Sequence, residues 1–154
     1  AVLIAGGLTW VLLARADFES GLLDLGRALV GVLFGGFLLI HFIWLQMLPD
    51  GPYWVIFVIM TAMAGDSSGY FVGHALGRHK LIPRVSPGKT IEGSLGIVGG
   101  NLIAGAIAKL VLLPQLGWSE VLAIAAVQGL PGQVGDLCES VMKRTYGAKD
   151  SGKL

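Results

Sequence analysis

The feature that most constrains this chain is a series of apolar runs long enough to cross a bilayer. A spanning helix needs about 20 predominantly apolar residues, and residues 28–48, 53–73 and 95–113 each supply such a run. A further run begins at Glu120, whereas residues 1–14 are too short and are interpreted as the end of an incomplete span. The chain is 54% hydrophobic and 14% charged, whereas soluble domains average about 45–50% and about 25%. We therefore predict an all-α, polytopic transmembrane helical bundle of about five spans, the first incomplete.

The segments between these runs carry nearly all of the basic residues on one side of the membrane. Because successive loops alternate sides, residues 15–27, residues 74–94 and the segment after Gly135 fall together, and the positive-inside rule makes that side cytosolic. Of the eleven Lys and Arg residues, only Lys109 lies elsewhere. The ten on the cytosolic side are Arg15, Arg27, Arg78, Lys80, Arg84, Lys89, Lys143, Arg144, Lys149 and Lys153. A functional site built from these segments is therefore expected to face the cytosol.

Small residues recur at four-residue spacing along two of the spans. One stripe lies on residues 53–73 and just beyond, and the other on residues 95–113; together they comprise Gly65, Gly69, Gly73, Gly77, Gly96, Gly100, Ala104 and Ala108. Such stripes let membrane helices approach backbone to backbone. No repeat or linker divides the sequence, so we predict a single transmembrane domain over residues 1–154. Cys138 is the only cysteine, which excludes an internal disulfide, and it is expected to be a buried thiol.

Asp66 is the first polar residue whose position within an apolar span requires an explanation. It lies near the cytosolic end of the span over residues 53–73, in the segment AGDSSGYF. A carboxylate at this depth is costly unless it faces a cavity, a cation or a partner. A functional aspartate is favoured over a merely structural, hydrogen-bonded one.

The loop over residues 86–93, SPGKTIEG, is the second polar feature. Pro87 and Gly88 are expected to shape a turn, and Lys89 would meet a phosphate as a point charge. Ser86, Thr90 and backbone N–H groups would add hydrogen bonds. The spacing of a P-loop is absent. The alternative is a basic cytosolic loop attracted to anionic lipid, which the loop chemistry by itself favours slightly.

The stretch over residues 135–154 opens with a carboxylate and ends rich in cations. Read as a helix, it places Asp136, Glu139, Ser140 and Lys143 on one face. The alternative is a helix leaving the bilayer with a Glu139–Lys143 pair and a basic end that suits the helix dipole. Asp136 and Asp66 on the same side as several lysines would suit Mg²⁺ together with phosphates, since Mg²⁺ takes few carboxylates and completes its shell with phosphate and water oxygens.

At these residues the sequence resembles the phosphatidate cytidylyltransferases, also called CDP-diacylglycerol synthases. The family signature comprises a serine, a hydrophobe, Lys-Arg, Lys-Asp and a small residue at fixed spacing. Those positions are filled here by Ser140, Met142, Lys143, Arg144, Lys149, Asp150 and Gly152. The segment GDSSGYFVGHALGRHKLIPRVSPGKTIEG also resembles the family's upstream region. The resemblance covers roughly residues 64–154.

The resemblance implies transfer of a cytidylyl group from CTP to phosphatidic acid, with Mg²⁺ as cofactor. It implies a metal-binding role for Asp136 and for Asp66, and catalytic roles for both together with Lys89 and Lys143. Phosphate or nucleotide binding is implied for Ser86, Lys89, Thr90, Lys143, Arg144 and Lys149. The family signature continues past Leu154 with a further carboxylate, so we expect residues 1–154 on their own to be an inactive fragment, cut at both ends.

The expected partners are CTP, phosphatidic acid and membrane lipid, with a homodimer left open and no nucleic acid. The expected location is a bacterial inner (cell) membrane. One alternative function is a CTP-dependent transferase acting on a related lipid, similar to the CDP-archaeol synthases. The other is a non-enzymatic transporter with Asp66 and Asp136 as coupling-ion sites, which would leave the loop lysines unexplained.

Overall fold

The computed structural model describes residues 2–14 and 17–145 and is almost entirely helical there. Its elements are α1 (Val2–Ala14), α2 (Phe18–Val32), a π-helical segment (Leu33–Phe37), α3 (Leu38–Gln46), α4 (Gly51–Leu76), β1 (Lys80–Ile82), β2 (Ser86–Thr90), α5 (Ile91–Val111) and α6 (Trp118–Thr145). They form two compact units, Ala1–Gly51 and Pro52–Leu154. That all 154 residues form one catalytic domain stays a prediction.

Four helices in the described residues are long and apolar enough to cross a membrane. They cover Glu19–Gln46, Gly51–Leu76, Ile91–Val111 and Trp118–Thr145. The first helix, Val2–Ala14, has 13 residues and is shorter than a span, in keeping with the expected incomplete one. The all-α membrane class is confirmed, and the protein is an integral membrane protein.

In the first unit the helix begins earlier than the sequence predicts. Residues 15–27 were expected to be a loop, but α2 already begins at Phe18 and continues through the π-helical segment into α3. Asp17 caps the N-terminus of α2 by accepting hydrogen bonds from the backbone N–H groups of Glu19 and Ser20. An Asp24–Arg27 ion pair at 3.0 Å one turn apart stabilises this polar first part of the helix.

The second unit contains a β-hairpin that was not predicted from the sequence. Strands β1 and β2 pair antiparallel, with Ile82 opposite Ser86, and the chain turns at residues 83–85. The expected turn at Pro87 and Gly88 is therefore wrong, because both residues lie within β2. A two-stranded ribbon has only edge strands, where the missing N–H of a proline is tolerated.

The small residues of α4 and α5 meet along one seam. A Cβ atom on Gly100 would lie 2.6 Å from the Ala64 carbonyl oxygen, and one on Gly96 would lie 2.7 Å from the Val72 Cβ. Only glycine permits that approach, so the predicted backbone-to-backbone packing is confirmed. Gly73, near the end of α4, and Gly77, just after it, face Thr90 at the start of α5.

Helix α6 joins this pair through polar contacts inside the membrane-spanning region. Gln128 donates to the Val58 carbonyl at 2.9 Å and accepts from the Thr61 hydroxyl at 2.9 Å. Asn101 of α5, which is buried, donates to the Ala125 carbonyl at 3.1 Å. These bonds hold α6 against α4 and α5 and fix which face of each helix points inward. Cys138 of α6 is exposed, so the expectation of a buried thiol is wrong.

Candidate active site

A cavity of about 760 Å³ opens where α4, the hairpin, α5 and α6 converge. This is within the range of about 300–1,000 Å³ that small-molecule sites in proteins occupy. Its wall includes the predicted site residues Asp66, Ser86, Lys89, Thr90 and Asp136. Predicted residues from three separate elements, α4, β2 and α6, are thus brought together, as expected of a shared site.

The centre of this arrangement is an ion pair between the hairpin and α6. The Lys89 ammonium lies 2.8 Å from a carboxylate oxygen of Asp136, although the two residues are 47 positions apart in the chain. The Lys89 side chain is 22% exposed and that of Asp136 is 58% exposed. Because Asp136 is the more open partner, its carboxylate keeps oxygen lone pairs available to a ligand while Lys89 neutralises part of its charge.

The hairpin is held in place at the beginning of α5. Thr90 is 5% exposed, and its hydroxyl accepts a hydrogen bond from the Gly93 N–H at 3.1 Å, which caps the helix. Glu92 accepts hydrogen bonds from the backbone N–H of His79 and lies 2.7 Å from its ring nitrogen. Together with the close approach of Gly73 and Gly77 to Thr90, these contacts orient Lys89 toward α6.

Asp66 reaches the same cavity from α4. It lies within electrostatic range of both Asp136 and Lys89. The two carboxylates, from α4 and α6, and the ammonium, from β2, therefore form one charge cluster in the cavity. This arrangement is consistent with a functional role for Asp66.

The basic residues at the end of α6 are placed differently. Lys143 forms an ion pair with Glu139 at 2.8 Å, the contact that the alternative interpretation of this helix predicts. Ser140 donates its hydroxyl to the backbone carbonyl of Asp136 at 2.9 Å. Among the described residues, neither Lys143 nor Arg144 lines the cavity, and their predicted phosphate contacts stay predictions. Lys149 and Asp150 lie outside the described residues.

The donor set fits a hard divalent cation in part. Asp66 and Asp136 line one cavity, and carboxylate oxygens are the protein ligands that Mg²⁺ takes, a few at a time. Within residues 2–14 and 17–145, no group of three or more His, Cys, Asp or Glu side chains is positioned to hold a metal. A cation here would therefore take much of its shell from phosphate and water oxygens, which is the usual behaviour of Mg²⁺.

Two aromatic residues of the cavity were not predicted from the sequence. Tyr70 and His74 line it from α4, and their rings are parallel within 6°, with centroids 6.1 Å apart. Asp66, Tyr70 and His74 follow each other at four-residue spacing, so a helical stripe running from the aspartate was the available signal. Gln133, one turn before Asp136, was missed as well.

Comparison with known proteins agrees with the motifs around these residues. A sequence model described as the cytidylyltransferase family matches residues 1–154. The phosphatidate cytidylyltransferase of Bacillus subtilis (strain 168) is 34% identical over 151 residues, which is 96% of this chain and 54% of that protein. The phosphatidate cytidylyltransferase of Brucella abortus biovar 1 (strain 9-941) is 41% identical over 107 residues, 69% of this chain and 39% of that protein.

An uncharacterized protein, YnbB of Escherichia coli (strain K12), is also similar, at 40% identity over 123 residues, 77% of this chain and 41% of that protein. The chain thus spans about half the length, or somewhat less, of the curated relatives it matches. The match of the family model over the whole chain confirms the resemblance that the motifs indicate. The chain belongs to the cytidylyltransferase family.

Proposed function

We propose that the protein transfers a cytidylyl group from CTP to phosphatidic acid, forming CDP-diacylglycerol and pyrophosphate. The observation that carries the proposal is the cluster of Asp66, Lys89 and Asp136 in one cavity of a membrane protein. A cluster of this kind suits a substrate that brings several phosphate charges to a bilayer. The names of the relatives in Bacillus and Brucella support the same reaction.

The reaction needs placement and charge neutralisation more than covalent help from the protein. An oxygen of the phosphatidate phosphate attacks the α-phosphorus of CTP, and the bond from that phosphorus to the α,β-bridging oxygen breaks as pyrophosphate leaves. Lys89 donates to a phosphate oxygen and offsets the charge that develops there. Ser86 and Thr90 line the same wall, and their hydroxyls orient the phosphate groups.

Asp136 and Asp66 are the residues that would hold Mg²⁺, which when bound neutralises phosphate charge and orients the phosphate oxygens. Asp136 is suited to this role because it lines the cavity, is partly exposed and keeps a second carboxylate oxygen beyond the one bound to Lys89. The ammonium of Lys89 lowers the repulsion between the two carboxylates before any ligand arrives.

The distribution of basic residues supports a cytosolic site in a bacterial inner membrane. CTP is a cytosolic metabolite and phosphatidic acid a membrane lipid, so a cavity at the helix ends on that side meets both. We further propose that the protein takes no nucleic acid partner, while a homodimer stays an open prediction.

The test is the incorporation of label from CTP into lipid by membranes that contain the intact protein. Labelled at the α-phosphate, CTP should give a labelled CDP-lipid when phosphatidic acid is supplied, and unlabelled pyrophosphate in equal amount. CTP labelled at the γ-phosphate should leave the lipid unlabelled, since that phosphate departs.

Two further arms separate the alternatives. In the first arm, an archaeal-type ether lipid phosphate replaces phosphatidic acid as the acceptor. If only this ether lipid becomes labelled, the protein is a transferase for a related lipid. Ion flux into sealed vesicles without CTP consumption would indicate a transporter. Absence of labelled lipid from every acceptor, with the protein folded in the membrane, would refute the proposed function.

A further inference from the structure

We propose that Tyr70 and His74 form the surface on which the cytosine ring of the nucleotide stacks. The proposal rests on the function proposed above, because it assigns the base-binding part of that same cavity. Both residues line the cavity and bring aromatic rings to it.

The two rings form a stacked pair. Their planes differ by 6° and their centroids are 6.1 Å apart, which is an offset-parallel pair within the usual range of aromatic contacts, about 4.5–7 Å. Tyr70 is 68% exposed, so much of its side chain is not covered by protein. A planar base can stack on such a face because every nucleobase has a π-surface.

The position of the stacked pair along α4 also suits a nucleotide. Asp66, Tyr70 and His74 lie at four-residue spacing on one stripe, so Asp66 and His74 are about 12 Å apart along the helix axis at 1.5 Å per residue. Glycines at positions 69 and 73 also line the cavity between them; they add no side chain of their own and pack against Ile97 and Thr90. A nucleoside triphosphate laid along this wall would have its phosphates at the charge cluster and its base at the aromatic pair.

A neighbouring residue provides a matched comparison. Phe71 is as exposed as Tyr70, at 68%, and its ring packs edge-on against Tyr70 with centroids 5.6 Å apart. Phe71 does not line the cavity among the described residues. An aromatic residue that serves only as an anchor in the membrane interface should behave like Phe71, whereas a base-stacking residue should not.

The experiment compares Tyr70→Leu, Tyr70→Phe and Phe71→Leu in the intact protein. The KM for CTP is measured at saturating phosphatidic acid, and inhibition by inorganic tripolyphosphate, which has phosphates but no base, is measured in parallel. Tyr70→Leu should raise the KM for CTP by about five- to 150-fold, as expected from the loss of one base–aromatic stack. Its inhibition by tripolyphosphate should be unchanged, and Tyr70→Phe and Phe71→Leu should resemble the parent.

Further variants complete the test. His74→Leu should also raise the KM for CTP, but by a smaller factor, because the His74 ring stacks on the Tyr70 ring and supports it. If Tyr70→Leu does not accumulate, Tyr70→Met replaces it, since methionine fills similar space without a flat face. UTP, used as a competitor, should lose as much affinity as CTP in Tyr70→Leu, because stacking does not read the edge of the base.

The proposal is overturned if Tyr70→Leu leaves the KM for CTP within twofold of the parent, or if CTP and tripolyphosphate weaken together. The second result would mean that the cavity as a whole had been disturbed. An equal effect of Phe71→Leu would assign both residues to membrane anchoring. Failure of the proposed function is distinct from all of these, because the unsubstituted protein would then form no labelled lipid.

Discussion

At the scale of single residues, the ion pair between Lys89 and Asp136 is the most informative contact. Its 2.8 Å distance joins two positions that were predicted separately from two motifs. A partly exposed pair of this kind contributes little to stability, about 0.2–1 kcal/mol. The ion pair is therefore better explained by a role in ligand binding than by a contribution to the stability of the fold. Both residues are accordingly suitable for functional tests.

Asp136→Asn should lower CTP-dependent lipid labelling by on the order of 100-fold or more, because a neutral amide loses the charge that attracts a divalent cation. The variant should remain folded in membranes. Glu139→Gln is the control, since Glu139 lies one turn away on the same helix and pairs with Lys143. Near-normal turnover of Asp136→Asn at saturating Mg²⁺ would exclude the proposed metal-binding role.

Lys89→Ala should also reduce turnover by on the order of 100-fold, and Lys89→Arg should restore little of it because guanidinium cannot replace a compact point charge. Arg84→Ala is the matched control, as Arg84 lies in the turn of the same hairpin and outside the cavity. If the loop only binds anionic lipid, both alanine variants should lose vesicle binding and activity to the same extent. Assays in detergent with and without anionic lipid separate the two outcomes.

At the scale of elements, the glycine seam between α4 and α5 determines the position of the hairpin. Gly96 and Gly100 bring the two helices together, and Gly73 and Gly77 leave space for Thr90. Thr90, which directly follows Lys89 in the chain, in turn caps the N-terminus of α5. A change in the seam is therefore expected to affect both stability and the cavity.

Adjacent glycines of α5 provide the test of this seam. A Cβ at Gly100 would lie 2.6 Å from the Ala64 carbonyl oxygen, whereas nothing lies within 4 Å of a Cβ at Gly99. Gly100→Ala should destabilise the protein by about 1–3 kcal/mol through overpacking. Gly99→Ala should be neutral or stabilising by up to about 1 kcal/mol, because alanine favours the helix. Thermal denaturation in one detergent measures both; equal shifts would mean that the seam is not tightly packed.

At the scale of the whole molecule, the spans place the two ends of α5 on opposite sides of the bilayer. The helix has 21 residues and is about 32 Å long at 1.5 Å per residue, close to the hydrocarbon thickness of about 30 Å. The hairpin therefore lies on one side, and the turn between α5 and α6 lies on the other. The basic residues favour the hairpin side as cytosolic.

This sidedness is testable with single cysteines in a Cys138→Ser background. Arg84→Cys in the hairpin turn should react with an impermeant thiol reagent only when the cytosolic face is accessible, as in inverted vesicles. Ser119→Cys at the start of α6 is nearly isosteric and should react only from the opposite side. Labelling of both cysteines from the same face would contradict the arrangement of spans.

The membrane class, the approximate spans, the family and the candidate charged residues could all be predicted from the sequence. These follow from local properties: an apolar run of given length forms a spanning helix whatever surrounds it. Prediction from the sequence was less accurate where the secondary structure of a segment depends on strand pairing, as for the SPGKT strand, or on helix capping, as for the early start of α2 after Asp17.

Only the tertiary structure decided which polar groups meet. Spacing along α6 gives Asp136 and Lys143 the same helical face, yet Asp136 contacts Lys89 whereas Lys143 contacts Glu139. Whether a side chain meets a partner on another element depends on the rotation of each helix and on how closely the helices pack. The close approach at Gly100 and the hydrogen bonds of α6 determine this rotation and this packing distance. The same rotation turns Tyr70 and its stripe toward the cavity, which hydropathy does not specify because it does not distinguish a face lining a cavity from one facing lipid.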